Sequence, residues 1–513
     1  MSNDRSIVAQ IRERLADERG TLFGEGRLRV ALLYPSPYRA GMSSLGYQLI
    51  YRLINERPQT VAERAFLPDE PALHRSTRTP LLSYESQEPV GGFDVVAISL
   101  AYELEITGML EALDLAGIPL RARDRNHRHP IVILGGPITF SNPLPAAPFA
   151  DVVVMGEGEE VVPRLLDLYE SADSRDGFYR DAALIPGVYV PTVHGERLLP
   201  VVAANNALLP AVGQIRTPHT ELANMHLVES ERGCHRKCTF CVMRRSTNGG
   251  MRLASPEAIV GSIPEDARRV GLVGAAVSDH PKLHEILRAI VDSDREVGLS
   301  SLRADRLNPE LMTLLQRGGY RTLTVAMDGC SERMRKLLHK EIREVHLEGA
   351  AHYAREYGMR YLKLYLMVGA PDETDDDVSE LIAFARELSR ICPVALGIAP
   401  FVAKRNTPLD RQPFAGIKPV ERTLERIGRE LRGVADVRST SARWAWVEYA
   451  LAQGGWDLSE AAIEAWRGGG AFAAWKQAIA RHGRAEQPAD LELRLGLPTG
   501  RFAAEVHPST ASA

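Results

Sequence analysis

The stretch ESERGCHRKCTFCVMRR, Glu229 to Arg245, places Cys234, Cys238 and Cys241 in the spacing CxxxCxxC directly after a short apolar run around Leu227 that reads as a strand. Such spacing lets one loop wrap three thiolates around a cluster too large for a single helical turn to hold. Three ligands leave one iron of a [4Fe-4S] cluster open, and an open iron can bind a small molecule and also pass it an electron. Two other readings stay open on the residues alone. One is a zinc site using these cysteines with His235, although His235 adjoins a ligand and zinc ligands usually come as two separated pairs. The other is three free thiols. A fully ligated cluster would need a fourth cysteine, and Cys330 and Cys392 each sit singly in apolar strand or turn contexts that read as structural.

Downstream of the cysteines, strand patterns fall near Val270–Val273, Leu299–Leu302, Leu323–Met327, Tyr361–Met367 and Ala395–Ile398, with helical patterns between them. With the run at Leu227 this makes six strand and helix units, which predict a partial (β/α)6 barrel over residues 225–410. The functional loops of such a fold lie at the carboxyl ends of its strands. After about Asp410 the strand patterns stop, so residues 411–505 read as a helical C-terminal region and 506–513 as a disordered tail.

Upstream, after a helical extension over residues 1–26, the runs LRVALLY, FDVVAISL, PIVILGG and DVVVMG are apolar on both faces, as buried parallel strands are. Helix-length segments such as Ser43–Asn55 and Leu104–Ala116 separate them, so residues 27–172 predict a doubly wound, Rossmann-like α/β domain. Ligands of these sheets bind beyond the carboxyl ends of the strands, where this chain is rich in Gly, Ser and Pro. Residues 173–224 read as a connector, with GVYVP and GERLLPVV suggesting a small hairpin.

Composition bounds the function class. Lys and Arg number 62 against 66 Asp and Glu, a net charge of −4, which removes any global electrostatic case for nucleic acid or an anionic membrane. The local run of Arg232, Arg236, Lys237, Arg244 and Arg245 reads as balancing an anionic cluster, with a tRNA substrate as the weaker alternative. Five cysteines, three of them within eight positions, point to a reducing compartment, and the cytoplasm is the expected location. No secretory leader and no apolar run long enough to span a membrane is evident.

CxxxCxxC with an aromatic, Phe240, before its last cysteine, in the first loop of a six-unit barrel, resembles the radical S-adenosylmethionine (SAM) superfamily. The preceding α/β domain resembles the cobalamin-binding domain fused to one large subgroup of it, and the likeness covers roughly Arg29 to Ala480. It includes LVGAAVSD, SSLRADRL, AMDGCSERMRKLLHK, LKLYLMVGAPDETDDDV and APFVAKRNTPL in the expected order, while the tail motif SARWAWVEYALAQGG resembles uncharacterised members of that subgroup. The resemblance implies that SAM chelates the open iron and is cleaved reductively to methionine and a 5′-deoxyadenosyl radical. By position, Gly274 and Ala275 would approach the methionine part; Ser301, Arg303 and Asp328 would meet its polar groups or the ribose; Gly369, Ala370 and Phe401 would border the adenine. Asp328 stands where close relatives carry Glu.

The classical cobalamin loop carries a histidine that ligates the metal from below. In that frame this chain has Ser36 for the acid, Tyr38 for the histidine, and a retained Gly41. No imidazole comes from that loop, so the resemblance implies a corrinoid held by packing and backbone, with Tyr38 near its lower face. The other positions matching the family's cofactor loops are Ser43, Leu45 and Gly46; Ser99 and Tyr102; Gly135, Gly136 and Pro137; and Gly156 and Glu157. The leading expectation is a cobalamin-binding radical SAM enzyme, a methyltransferase acting on a carbon centre. Its substrate would be a small molecule or peptide, and its electron donor a low-potential protein such as a flavodoxin or ferredoxin. The alternatives are a radical SAM enzyme of another reaction type that does not use cobalamin, and a non-catalytic iron-sulfur or zinc module.

Overall fold

The computed structural model describes residues 2–243 and 250–483. Two compact units emerge: one from residues up to 224 together with those from 450 onward, the other from 225 to 449. The expected tail, 506–513, and Arg244 and Arg245 lie outside the described residues.

The first unit is built on β1 (Leu28–Tyr34), β2 (Thr60–Phe66), β3 (Val95–Ser99), β4 (Ile131–Gly135) and β5 (Val152–Val154), parallel in the order β2-β1-β3-β4-β5. The strand order reverses between β1 and β3, and the crevice outside their carboxyl ends is the ligand position that such a topology provides. The doubly wound α/β expectation agrees with this sheet. β2 was not among the quoted apolar runs, because Glu63 and Arg64 interrupt it. Both are buried: Ser83 Oγ donates to Glu63 Oε2 at 2.6 Å, and Arg64 pairs with Glu18 at 2.7 Å and Glu85 at 2.7 Å.

The connector differs from the expected hairpin. β6 (Val188–Tyr189) pairs antiparallel with β5 at the sheet edge, and Val202 forms a parallel bridge with Gly156. The unfilled backbone groups beside β5 draw both segments in, which a hairpin closing on itself would leave unpaired.

Residues 411–505 were expected to form a helical C-terminal region, and helices dominate its described part. A further strand occurs at 436–439, described below, and the helices Asp457–Arg467 and Phe472–His482 belong to the first unit. There Trp466 Nε1 donates to Glu111 Oε2 at 2.7 Å, and Asn142 donates to the carbonyls of Leu451, Ala452 and Gly454.

The second unit opens with β7 (Met225–Glu229), then the antiparallel arm β8 (Glu231–Gly233) and β9 (Met251–Leu253), which brackets the cysteine loop. β10 (Arg269–Val273) lies between β7 and β11 (Glu296–Leu299), all parallel. A parallel bridge from Leu302 to Val325 continues the wall into β12 (Thr322–Asp328), β13 (Tyr361–Val368), β14 (Val394–Pro400) and β15 (Asp436–Ser439). The wall therefore has seven parallel strands, where six were expected. β15 is short and mostly exposed, so it carries no apolar run to announce it. Burial alternates along β13, with the even-numbered residues Leu362 to Val368 against the outer helices, as a barrel wall requires.

Candidate cluster and cofactor site

The chain leaves β7 at Ser230, whose N–H donates to Val273 O at 2.9 Å, and turns into β8. Gly233 has φ +81°, a left-handed conformation that suits glycine and turns the chain into the loop at Cys234. The loop is tied down at several points. Arg236 donates to both oxygens of Asp279, at 2.8 and 2.6 Å, and its N–H donates to Cys234 Sγ at 3.4 Å. Thr239 N–H donates to Leu338 O at 3.1 Å, and Leu409 N–H donates to Thr239 O at 3.1 Å. These anchors hold the cysteines at the carboxyl-end rim of the barrel, where the loops after β10 to β14 also lie.

All three thiols are partly buried, and burial pushes each up, Cys238 to about 11. Lys340 opposes the shift at Cys238 and Cys241, so a positive charge stands near the position where thiolates would be ligands. Lys340 Nζ is 2.5 Å from Asp328 Oδ2, and Asp328 sits at φ +64° at the end of β12. Aspartate is one of the few side chains that tolerates that conformation.

Three thiols on one loop, half-exposed and adjoining a cation, fit a cluster with three protein ligands. Among the described residues no three His, Cys, Asp or Glu side chains close on a single ion. His235 is exposed, its Nδ1 3.3 Å from Met251 Sδ and its Nε2 3.9 Å from Asp279 Oδ2. Cys330 is buried and donates to Glu373 Oε2 at 3.4 Å, and Cys392 is buried as well.

Gly274 and Ala275 follow β10, and the turn they open is gripped from two sides. Ser300 Oγ donates to Gly274 O at 3.2 Å, and Ala276 N–H donates to Glu231 Oε1 at 2.6 Å. Ser301 is exposed and Phe240 half-buried. Arg303 is buried with a two-pronged pair to Asp305, at 3.0 and 2.9 Å, so Arg303 and Asp328 each have a partner and do not pair with each other. Gly369 has φ +76°, and its N–H donates to Glu373 Oε1 at 2.8 Å, next to the buried Ala370. Phe401 departs from the expectation of bordering a ligand. Its ring is packed inside the wall at 1% exposure, which leaves only its backbone near the rim.

In the first unit the matched loop positions divide into closed and open ones. Tyr38 is a core residue, contrary to its expected place beside a ligand. It is 1% exposed, stacks on Tyr84, and donates to Glu18 Oε1 at 2.6 Å. Gly41 lies against Phe66, where a β-carbon would come within 2.6 Å of the ring. Gly136 is filled by Leu100 in the same sense, and Leu45 is buried. Gly156 and Glu157 hold the connector: Glu157 N–H donates to Val202 O at 3.0 Å, and its Oε2 accepts from Ala204 N–H at 2.8 Å.

The open positions lie around the strand-order reversal. A β-carbon on Gly46 would meet nothing within 4 Å, Gly135 has only ordinary contact with Val154, and Tyr102 and Pro137 are exposed. Ser43 and Ser99 are half-buried. Ser36 Oγ donates to Glu105 Oε1 at 2.8 Å, and Ala101 N–H donates to Glu105 Oε2 at 2.7 Å. These residues fit a flat ligand held by backbone and packing, and Pro35–Gly41 carries no histidine to ligate it.

Asp279, Lys340 and Glu231 were quoted within motifs but assigned no role. Glu231 had one readable signal, an acid set in a basic run three residues before a cysteine. The partners of the other two come from separate loops and leave no local trace.

Residues 46–191 match a family model described as radical SAM proteins, N-terminal, and residues 228–385 match one described as the radical SAM superfamily. The chain is 26% identical over 415 residues to an uncharacterised protein of Methanocaldococcus jannaschii, covering 78% of this chain and 84% of that one. It is 26% identical over 277 residues to an uncharacterised methyltransferase of Pyrococcus horikoshii, covering 50% and 58%. Among solved structures it is similar to the radical SAM methyltransferase TsrM of Kitasatospora setae, with cobalamin and a [4Fe-4S] cluster bound (TM-score 0.51, 15% identity, 77% of this chain and 75% of that one). It is also similar to the cobalamin-dependent SAM radical enzyme OxsB (TM-score 0.51, 14% identity, 72% and 53%). At these identities the likeness to the solved structures is one of fold.

Proposed function

Because this chain belongs to the radical SAM superfamily, we propose that it is a cobalamin-binding methyltransferase of that superfamily that cleaves SAM reductively and methylates a carbon centre of a small molecule or peptide. The observation that carries this reading is the loop of Cys234, Cys238 and Cys241, tied to the rim of a parallel barrel in a chain whose other unit has an open ligand crevice. When bound, the cluster supplies an electron to the SAM sulfonium to release a 5′-deoxyadenosyl radical, and cobalamin supplies the methyl group.

The chain's own residues hold and orient. Cys234, Cys238 and Cys241 ligate the cluster, and the Arg236–Asp279 pair fixes the loop that carries them. Lys340 offsets the cluster's negative charge. The Gly274–Ala275 turn receives the methionine part of SAM, while exposed Ser301 offers a hydroxyl to its polar groups. Arg303 and Asp328, each steadied by its ion pair, keep their charges aimed along the rim. Gly369 and Ala370 leave room for the adenine. In the first unit Gly46, Gly135 and Tyr102 border the corrinoid. A flavodoxin or ferredoxin supplies the electron. The even balance of 62 basic and 66 acidic residues favours a small substrate over RNA.

The test is anaerobic reconstitution with iron and sulfide, with and without hydroxocobalamin, followed by SAM and a low-potential reductant. Protein holding its cluster is expected to yield 5′-deoxyadenosine in every case and S-adenosylhomocysteine only when cobalamin is loaded. Cys238→Ala should lose both products together with its iron, whereas Cys330→Ser should keep them. Deoxyadenosine without S-adenosylhomocysteine, in cobalamin-loaded protein supplied with its substrate, would exclude methyl transfer through the corrinoid and leave the radical chemistry standing.

A further inference from the structure

Three glutamates, Glu105 and Glu231 buried and Glu373 half-buried, take a backbone N–H at the carboxyl end of a strand. Glu105 accepts from Ala101 beyond β3, Glu373 accepts from Gly369 beyond β13, and Glu231 accepts from Ala276 beyond β10. The first two also satisfy their second oxygen, with Ser36 Oγ at 2.8 Å and Cys330 Sγ at 3.4 Å. Glu231 does not, since its Oε2 is buried and has no hydrogen-bond partner. The acids around it are paired: Glu229 with Arg232 at 2.6 Å, and Asp279 with Arg236 and Arg306. A buried carboxyl kept with an orphaned oxygen costs free energy, so its bond to the Ala276 N–H and its packing must be worth keeping.

That bond and that packing both fall on one turn. Gly274 lies directly on the carboxylate: a β-carbon there would be 2.1 Å from Oε1 and 2.7 Å from Cδ of Glu231. Position 274 therefore has no room for a side chain while Glu231 is present. Ser300 Oγ grips the same turn from the β11 side through Gly274 O. The turn is thus clamped between the strand arm that leads into the cysteine loop and the end of β11.

We propose that Glu231, which lies outside the cysteine motif, is a positioning residue for SAM: it sets the backbone of Gly274–Ala276 against which SAM seats. The role rests on the SAM-binding reading above and concerns the seat alone, not the cluster or the electron transfer.

Equilibrium dialysis of labelled SAM against the full-length, anaerobically reconstituted protein tests it, with iron and sulfide measured on each sample. Glu231→Ala is expected to weaken SAM binding about tenfold, with iron content equal to the parent and the rate of SAM cleavage at saturating SAM within about threefold. Glu231→Gln should bind within about threefold of the parent, because its amide oxygen accepts the same N–H. Gly274→Ala should cost about tenfold in the parent but no more than about threefold when Glu231 is already Ala, since the carboxylate is then gone and only the carbonyl of residue 231, 3.0 Å from the new β-carbon, still crowds it. Parent-like SAM affinity in Glu231→Ala, additive losses in the double variant, or loss of iron from Glu231→Ala would each overturn the positioning role. Parent protein with a full cluster and no SAM binding would instead overturn the SAM reading itself, and the proposal with it.

Discussion

Asp377 gathers its donors from two loops. Ser331 Oγ donates to it at 2.5 Å, Thr374 donates through N–H and Oγ at 2.8 and 2.7 Å, and Arg333 pairs with it. Burial alone would raise this carboxyl, but Arg333 and the hydrogen bonds outweigh it and hold the group well below the usual carboxylate range. The stabilisation is therefore fully present above the ordinary aspartate value, about 3.9, and is lost as pH falls through the depressed folded value. Asp377→Asn is expected to lower stability at pH 7 by about 2 kcal/mol and to flatten the acid loss below about pH 4, as read by urea unfolding across that range. Residues of this kind also mark where sequence reading runs out. Cys234, Cys238 and Cys241 are legible because their meaning is carried by spacing within eight positions. Tyr38 is not, because the partners that bury it, Glu18 and Thr217, lie 20 and 179 positions away.

Strands that are apolar on both faces declare themselves, and β1, β3 and β4 lie where their patterns put them; among the wall strands β10, β12, β13 and β14 do so too, whereas β11 begins three residues before its expected start at Leu299. β2 is equally buried yet hidden, since its Arg64 satisfies burial with a charge network that no local pattern reveals. β15 fails for the opposite reason, being too short and exposed for any pattern. The network under β2 carries a prediction. Arg64 is fully buried between Glu18 and Glu85, so Arg64→Ala strands two carboxylates in the core. A loss of about 3–5 kcal/mol in the unfolding of the first unit is expected in chemical denaturation. Adding Glu85→Gln should recover part of it, because one stranded charge is then removed.

At the scale of the molecule, the alternation of strands and helices made two α/β bodies readable, whereas the destination of the C-terminal helices was not. Their apolar positions specify burial without naming the surface that receives them. Trp475 is 1% exposed within helix Phe472–His482, which belongs to the unit begun by the first 224 residues. Trp475→Ala is expected to cost about 3–5 kcal/mol and to raise hydrogen exchange in β1, β3 and β4 while β12 to β14 keep their protection. Equal loosening in both units would contradict this division.

The same division sets a timetable for synthesis. The barrel is encoded without interruption, so it can close as soon as residue 449 has cleared the ribosome. The unit begun first must wait for residues from 450 onward to supply its last helices. At about 5–20 residues per second, the roughly 260 residues between position 224 and His482 take some tens of seconds to make. Over that interval the helix Ile106–Leu115 presents to solvent, or to a chaperone, the side on which Glu111 will later receive Trp466. Of the two units, the one whose translation starts first is thus the last to be completed, and a nascent chain stalled within the barrel would display that unit unfinished to the cell's quality control.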